Sequence, residues 1–129
     1  MGVLGKIFAI DFDGTLYSGN TPFPQVDETQ LNTELIHAIE TCQRLFPQDR
    51  YILWTCREGH EIAEALEALN KVSNIKWSAI NDNIEEVKQS FGDPRKIIAD
   101  VYIDDRAASP IYGVRLLQHY ALTGGEFHG

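Results

Sequence analysis

Two aspartates separated by one residue, Asp11 and Asp13, follow an apolar run that is bounded by Gly5 and Gly14. A short apolar run of this kind suits a strand that is buried on both faces of a parallel sheet. Asp11 would then lie at the carboxyl end of the strand, where open α/β sheets bind their ligands. Two carboxylates held close together repel each other, and a hard divalent cation such as Mg²⁺ relieves that repulsion. The alternative is a solvated acidic turn, because Asp and Gly are also common turn formers.

The rest of the chain alternates apolar runs, which predict strands, with amphipathic segments, which predict helices. Besides the strand that leads into Asp11, we expect strands at residues 51–55, 75–80 and 101–105, and helices over residues 31–46, 60–69, 84–91 and 114–122. Asp27 with Gln30 predicts a capping box before the first helix, and residues 81–83 predict a cap for the third. Pro110 and Gly113 predict a break before the last helix.

Strands that alternate with helices predict a parallel sheet with right-handed crossovers, in which every strand has its carboxyl end at the same edge. The chain would therefore gather at that edge six polar residues from distant positions: Asp11, Asp13, Thr55, Lys96, Asp104 and Asp105. We predict one α/β domain over residues 1–129, a Rossmann-like three-layer sandwich with a central, mostly parallel sheet and a frayed tail at residues 123–129.

The composition limits the classes of function. The 129 residues carry a net charge of −8, and 43% of them are hydrophobic, as in ordinary globular domains. This charge argues against nonspecific binding to nucleic acid or to an anionic membrane. No apolar run approaches the roughly 20 residues that span a bilayer, and the first residues do not resemble a signal peptide. Cys42 and Cys56 fit no zinc-site spacing, so we expect a cytoplasmic protein with reduced cysteines.

The polar residues at the strand ends resemble the four motifs of the haloacid dehalogenase-like hydrolase superfamily. Residues 11–16, Asp-Phe-Asp-Gly-Thr-Leu, look like its first motif, and Thr55 looks like its second. Lys96 resembles the lysine of the third motif, and the acid pair at residues 104–105 resembles the fourth. Lys88 is the alternative for the third motif, but Lys96 is nearer to the last acidic strand and is preferred. The resemblance covers roughly residues 5 to 110.

The resemblance implies a phosphohydrolase, most simply a phosphomonoesterase, that acts through an aspartyl-phosphate intermediate. Asp11 would be the nucleophile, because a carboxylate can split one displacement into two. Asp13 would protonate the leaving oxygen and then activate water. Thr55 and Lys96 would stabilise the phosphoryl oxygens with a hydroxyl donor and a positive charge.

The resemblance also implies a Mg²⁺ site. The ion would be bound by Asp11, by the backbone carbonyl of Asp13 and by one residue of the acid pair, for which Asp104 is favoured over Asp105. Arg57 closely follows the second motif and could bind a substrate anion. An ion pair with a nearby acid is an equally good interpretation of Arg57.

The intervals between the motifs bear on the substrate. Members of this superfamily often insert a cap domain after the first motif or between the second and third motifs. Here those intervals predict only loops, helices and strands, which leaves no room for a folded cap. A capless site is open, which suits the phosphorylated end of a macromolecule. It also suits a small phosphorylated molecule that is enclosed by residues 17–27, acting as a flap, or by a second subunit of a homo-oligomer.

Two other interpretations are consistent with the same residue types. Receiver domains of response regulators also collect acids, a threonine and a lysine around Mg²⁺. Receivers, however, place their acid pair after the first strand and the phosphorylated aspartate after a later one, which is the opposite of the order here. The second interpretation is a catalytically silent metal-binding or interaction protein with the same fold.

Overall fold

Four parallel strands form the sheet. The computed structural model describes residues 5–20, 22–92, 96–104 and 110–124. Within these ranges the strands are β1 (Ile7–Asp11), β2 (Arg50–Trp54), β3 (Ala79–Ile80) and β4 (Val101–Ile103), in the spatial order β3-β2-β1-β4. β1 therefore lies between β2 and β4 and pairs with both in parallel. The residues that follow these three strands are neighbours at one edge of the sheet.

Helices cover both faces of the sheet, and the predicted Rossmann-like three-layer arrangement is confirmed. The helices are α1 (Thr33–Leu45), α2 (His60–Val72), α3 (Glu85–Phe91) and α4 (Pro110–Leu122), with a 3₁₀ turn at Glu28–Gln30. Side chains of α1, α2 and α4 pack on one face, and α3 with residues 97–99 packs on the other. None of the helices in the described ranges has the length and apolar character that crossing a bilayer requires.

The alternation of side chains along β1 explains why the strand is apolar throughout. Phe8 and Ile10 point into the core under α1, α2 and α4, whereas Ile7 and Ala9 point into the smaller core under α3. All four are at most 4% exposed. A strand buried on both faces leaves its polar chemistry to the residues at its end.

The first helix begins later than predicted. Asp27 caps the 3₁₀ turn, accepting a hydrogen bond from the backbone N–H of Thr29 at 3.1 Å. Asn32 caps α1, because its side-chain oxygen accepts from the backbone N–H of Leu35 at 3.1 Å. Both are good capping residues, and burial of Leu31 between them separates the two elements.

The predicted cap at residues 81–83 is wrong for α3, which has no side-chain hydrogen bond at its N-cap, Ile84. Asn83 is instead buried and binds the segment before β4: its amide donates to the carbonyl of Lys96 at 2.9 Å. Its side-chain oxygen accepts from the backbone N–H of Ile98 at 2.7 Å. Asn83 thus satisfies backbone groups of an irregular segment rather than a helix terminus.

Two further boundaries differ from prediction. The third strand is only Ala79–Ile80, because the backbone of Lys76 bonds to the side chain of Gln43 on α1 at 2.8 and 3.1 Å. The last helix begins at Pro110, since proline is tolerated in the first helical turn, where its missing N–H has no partner to lose. Gly113 is inside this helix, and a Cβ there would lie 2.6 Å from Ile103 Cγ2, so the glycine permits close packing on β4.

Candidate active site

A cleft of about 400 Å³ opens at the carboxyl edge of the sheet, above β1, β2 and β4. Four of the predicted site residues line it, together with two aromatic residues and a cysteine: Asp11, Asp13, Thr55, Asp104, Phe23, Trp54 and Cys56. The predicted convergence is therefore present for residues that are up to 93 positions apart in the chain. The carboxylates come from β1 and β4, and the hydroxyl comes from the end of β2.

Asp11 is the last residue of β1 and is partly buried. One of its carboxylate oxygens accepts from the backbone N–H of Phe12 at 2.9 Å, and the hydroxyl of buried Thr15 lies 3.5 Å from the other. Ile10 pairs with Ile103, so Asp11 and Asp104 are the next residues on adjacent parallel strands. Strands in a sheet lie about 4.8 Å apart, which brings these two carboxylates side by side.

The chain turns sharply after Asp13. Gly14 has φ of +83°, a conformation that disfavours any side chain, and its backbone N–H donates to the carbonyl of Tyr17 at 2.8 Å. The N–H groups of Thr15 and Tyr17 both donate to the carbonyl of Phe12, at 3.1 and 2.9 Å. This compact turn fixes Asp13 beside Asp11 at the mouth of the cleft.

Arg57 binds Asp13 through a two-point ion pair. Its Nε donates to Oδ2 of Asp13 at 2.9 Å and its Nη2 donates to Oδ1 at 3.0 Å. The Arg57 side chain is fully buried, and the Asp13 side chain is 34% exposed. Such parallel hydrogen bonds are the strongest geometry between a guanidinium and a carboxylate. Of the two interpretations offered for Arg57, the ion pair is the one that this geometry matches.

The guanidinium of Arg57 also joins three parts of the chain. Nη1 donates to the carbonyl of Pro24 in the 17–27 loop at 3.0 Å and lies 3.4 Å from the carbonyl of Glu61 on α2. The rings of Phe12 and Phe23 lie 4.9 and 4.2 Å from the guanidinium carbon. Together with the two bonds to Asp13, these contacts direct four of the five N–H donors of Arg57 to protein groups.

Thr55 is held in place by the residues around it. Its backbone N–H donates to the side-chain oxygen of Asn81 at 2.7 Å, and its hydroxyl accepts from the backbone N–H of Arg57 at 3.0 Å. A hydroxyl that accepts one bond still has its own proton to donate into the cleft. Asn81 has φ of +53°, a conformation that asparagine tolerates better than most residues.

The oxygen donors of the cleft suit Mg²⁺ in type. Asp11 and Asp104 offer adjacent carboxylates, and oxygen ligands are the type that Mg²⁺ prefers. Among the described residues no group of three or more acid, histidine or cysteine side chains forms a metal cluster. Mg²⁺ is often bound by only one or two protein carboxylates, and substrate and water molecules complete its coordination shell. The two carboxylates of this cleft are consistent with such a site. Asp105 lies outside the described residues.

The predicted lysine is not in the cleft wall. Lys96 is exposed and is not among the described residues that line the cleft. Lys88, the alternative for the third motif, is paired with an acid, since its ammonium lies 2.5 Å from the carboxylate of Asp82. The hydrogen bond from Lys88 lowers the pKa of Asp82. The prediction that Lys96 acts in the site therefore stays a prediction.

Sequence reasoning missed Asn81, Phe23 and Trp54 as site residues. Asn81 follows β3, so its place at a strand end was a usable signal. Trp54 is the last residue of β2 and is 38% exposed, whereas Tyr51, Ile52 and Leu53 before it are completely buried. The sequence of the apolar run at residues 51–54 does not indicate that Trp54, its last residue, is exposed.

A larger groove of about 610 Å³ lies elsewhere, between α1 and α4. Its walls are mainly apolar, with Ala38, Leu117, Ala121 and Leu122 among them. Cys42, also in its wall, is almost completely buried, and burial raises the pKa of its thiol to about 11. The wall also contains Glu34 and His37 of α1, but the groove lies away from the carboxyl ends of the strands, where open α/β sheets bind their ligands, so the cleft is the better candidate.

No family model matches the chain, and no curated protein matches it. Among solved structures, the chain is similar to a conserved protein from Bacteroides thetaiotaomicron, with a TM-score of 0.60 and 29% sequence identity. The match covers 79% of this chain and 77% of that one. The similarity supports the α/β fold described above.

Proposed function

We propose that this chain is a capless phosphomonoesterase of the haloacid dehalogenase-like type, dependent on Mg²⁺. The observation that carries the proposal is the meeting of Asp11, Asp13, Thr55 and Asp104 in one cleft at the carboxyl edge of the sheet. The order of the motifs along the chain also favours this enzyme over a receiver domain, because the DxD pair comes first and the acid pair last.

The proposed reaction has two displacements. In the first, a carboxylate oxygen of Asp11 attacks phosphorus, the bond from phosphorus to the ester oxygen breaks, and Asp13 gives a proton to the leaving alcohol. In the second, Asp13 takes a proton from water, whose oxygen attacks phosphorus. The bond from phosphorus to Asp11 then breaks, which restores the carboxylate and releases inorganic phosphate.

The contacts of Asp13 add a requirement to this reaction. Both of its oxygens accept hydrogen bonds from Arg57 in this arrangement. Each oxygen has a second lone pair, so the proton for the leaving oxygen has to lie on the side of the carboxyl that Arg57 does not occupy. The 34% exposure of the Asp13 side chain leaves part of the carboxyl open for that transfer. Arg57 would then position Asp13 rather than bind the substrate.

The remaining groups stabilise charge. Thr55 would donate its hydroxyl proton to a phosphoryl oxygen, with its backbone fixed by Asn81. Asp11 and Asp104 would hold Mg²⁺, and Asp105 would assist. When bound, the ion supplies positive charge that lets a carboxylate approach a phosphate dianion. Lys96 would supply a further cation from an exposed position.

The test is hydrolysis of p-nitrophenyl phosphate by the wild-type chain, with Mg²⁺ and with excess EDTA. We expect turnover that EDTA abolishes and that Asp11→Asn reduces by at least about a thousandfold, since the nucleophile is lost. Asp27→Asn is the matched control, because Asp27 is an exposed acid that caps a 3₁₀ turn away from the cleft. Equal activity in Asp11→Asn and the wild-type chain would exclude the proposal.

The alternatives predict different outcomes in the same assay. A receiver-like module would take up one phosphoryl group per chain from a small phosphodonor without sustained turnover. A silent metal-binding protein would bind Mg²⁺ without labelling or turnover.

A further inference from the structure

We propose that the substrates of this cleft are nucleoside monophosphates, whose base stacks on the indole of Trp54. The inference rests on the proposed phosphomonoesterase function and adds the class of alcohol that carries the phosphate. It is drawn from the two aromatic side chains that share the cleft with the carboxylates.

Trp54 lies directly beside the proposed nucleophile. It pairs in register with Asp11 across β1 and β2, and its side chain is on the same face of the sheet as Asp11 and Ala9. Adjacent strands are about 4.8 Å apart, so the indole lies within the length of one nucleotide from the Asp11 carboxylate. Trp54 is 38% exposed and lines the cleft.

The indole of Trp54 is positioned by a neighbouring aromatic ring. Tyr102 of β4 contacts it edge to face, with ring centroids 5.7 Å apart and planes at 64°. Tyr102 is itself fixed, because its hydroxyl donates to the carbonyl of Ile97 at 2.5 Å and accepts from the backbone N–H of Ala99 at 3.2 Å. A fixed aromatic surface binds a flat ligand with little loss of side-chain entropy.

Phe23 forms a second aromatic surface of the cleft. It is 45% exposed, and its ring lies against the buried guanidinium of Arg57 at 4.2 Å. Isolated exposed apolar residues are normal, and Phe91 and Leu122 are examples on this chain. Trp54 and Phe23 differ from these because both line the same cleft as Asp11 and Asp104. A ligand with one anionic end and one flat apolar end matches this division.

Size and charge favour a mononucleotide over a polynucleotide. The cleft volume of about 400 Å³ lies within the range of small-molecule sites. The chain carries a net charge of −8, which repels a polyanion. A single phosphate is repelled much less, above all when a cation is bound beside it. In a nucleotide the sugar separates the base from the phosphate. The base can therefore contact Trp54 on β2 while the phosphate lies at Asp11 on β1.

The test compares two esters that differ only in the base, adenosine 5′-monophosphate and ribose 5-phosphate, so that the leaving alcohols are alike. We expect kcat/KM to be about 5- to 100-fold higher for the nucleotide, since one stacked base is worth about 1–3 kcal/mol and 1.4 kcal/mol is tenfold. Trp54→Ala should bring the ratio close to one, whereas Trp54→Phe should retain most of it. Far-UV circular dichroism checks that both variants fold.

A binding measurement separates failure of this inference from failure of the proposed function. In an Asp11→Asn, Trp77→Phe chain, tryptophan fluorescence comes from Trp54 alone, and we expect saturable quenching of it by the nucleotide but not by ribose 5-phosphate. Hydrolysis of both esters at equal efficiency would overturn the nucleotide inference and leave the phosphatase standing. Quenching without hydrolysis of any phosphate ester would overturn the phosphatase and retain the nucleotide site. A preference for phosphotyrosine or for a 5′-phosphorylated oligonucleotide would overturn the mononucleotide assignment.

Discussion

The guanidinium of Arg57 faces the carboxylate of Asp13, with Nε 2.9 Å from Oδ2 and Nη2 3.0 Å from Oδ1. The arginine is fully buried under Phe12 and Phe23, while the aspartate reaches the cleft. One proposed catalytic group is thus attached to the loop at residues 17–27 and to α2 through a single buried cation. Stability and activity should therefore change together at this pair.

Arg57→Ala should lower the free energy of unfolding by about 2–4 kcal/mol. Removing one partner of a buried ion pair typically costs about 3–5 kcal/mol, and the partial exposure of Asp13 reduces that cost. Arg57→Lys should be intermediate, because an ammonium cannot reproduce the two-point contact. Urea unfolding followed by circular dichroism measures both.

The matched control for this change is Arg50→Ala. Arg50 also pairs with an acid, since its Nη1 lies 2.9 Å from Glu86, but the two side chains are 39% and 40% exposed. Exposed pairs contribute about 0–1 kcal/mol, so little stability should be lost. Similar losses in the Arg50 and Arg57 variants would show that the buried pair has no special role.

Asn81→Ala should destabilise the Thr55 segment by about 1–3 kcal/mol and lower kcat. The change removes the acceptor of the Thr55 N–H and leaves alanine at a positive φ. Asn81→Gly relieves the backbone conformation but still lacks the acceptor, and Asn81→Asp keeps an oxygen in place. Urea unfolding should rank the variants in stability as Asp above Gly above Ala. A kcat in Asn81→Ala equal to that of Asn81→Asp would argue against a positioning role.

Lys96→Ala should reduce kcat/KM by about 10- to 100-fold, and Lys88→Ala should change it much less. The physical reason is that the Lys88 ammonium is already paired with Asp82 at 2.5 Å. Lys96 is exposed, and the prediction requires its long side chain to reach a phosphate bound in the cleft. Steady-state hydrolysis by the two variants, compared at several ionic strengths, checks this assignment. The reverse order of effects would transfer the third-motif role to Lys88.

The sheet and the polar residues at its carboxyl edge were predictable because each strand is a local apolar run that ends in, or is followed by, a polar residue. Asp11, Thr55 and Asp104 meet at that edge because parallel strands share the direction of their carboxyl ends. The shared edge follows from the alternation of elements alone. That these three residues are neighbours depends in addition on the strand order, in which β1 lies between β2 and β4, and the alternation does not specify that order.

The remaining features depend on tertiary contacts that no local pattern encodes. Arg57 and Asp13 are 44 positions apart, and the guanidinium that pairs with this acid also contacts the rings of Phe12 and Phe23 from two other parts of the chain. Asp27 and Asn32 are both suitable helix caps, and only the burial of the chain between them decides which one begins α1. The exposure of Trp54 likewise follows from the space above the sheet edge.

Three buried groups that can ionise, Cys42, Tyr51 and Tyr120, predict that the folded chain loses stability at alkaline pH. Burial raises the pKa of Cys42 from 9.0 to about 11, and burial also raises the pKa of Tyr51 and Tyr120. The Tyr120 hydroxyl in addition donates to Asp49 at 2.5 Å. In the unfolded chain these groups ionise at their ordinary, lower pH. Their contribution to stability is therefore complete below about pH 9 and is lost as pH rises toward and beyond 11.

For Cys42 alone, the difference between 9.0 and about 11 corresponds to about 2–3 kcal/mol by pH 11. Urea unfolding at pH 7, 9, 10 and 11 should thus show a falling free energy of unfolding, with a smaller slope in Cys42→Ala. Cys56→Ser is the matched control for loss of a thiol, because Cys56 is exposed in the folded chain and lies outside this buried group. A free energy of unfolding that stays constant to pH 11 would mean that these buried groups ionise as readily in the folded chain as in the unfolded one.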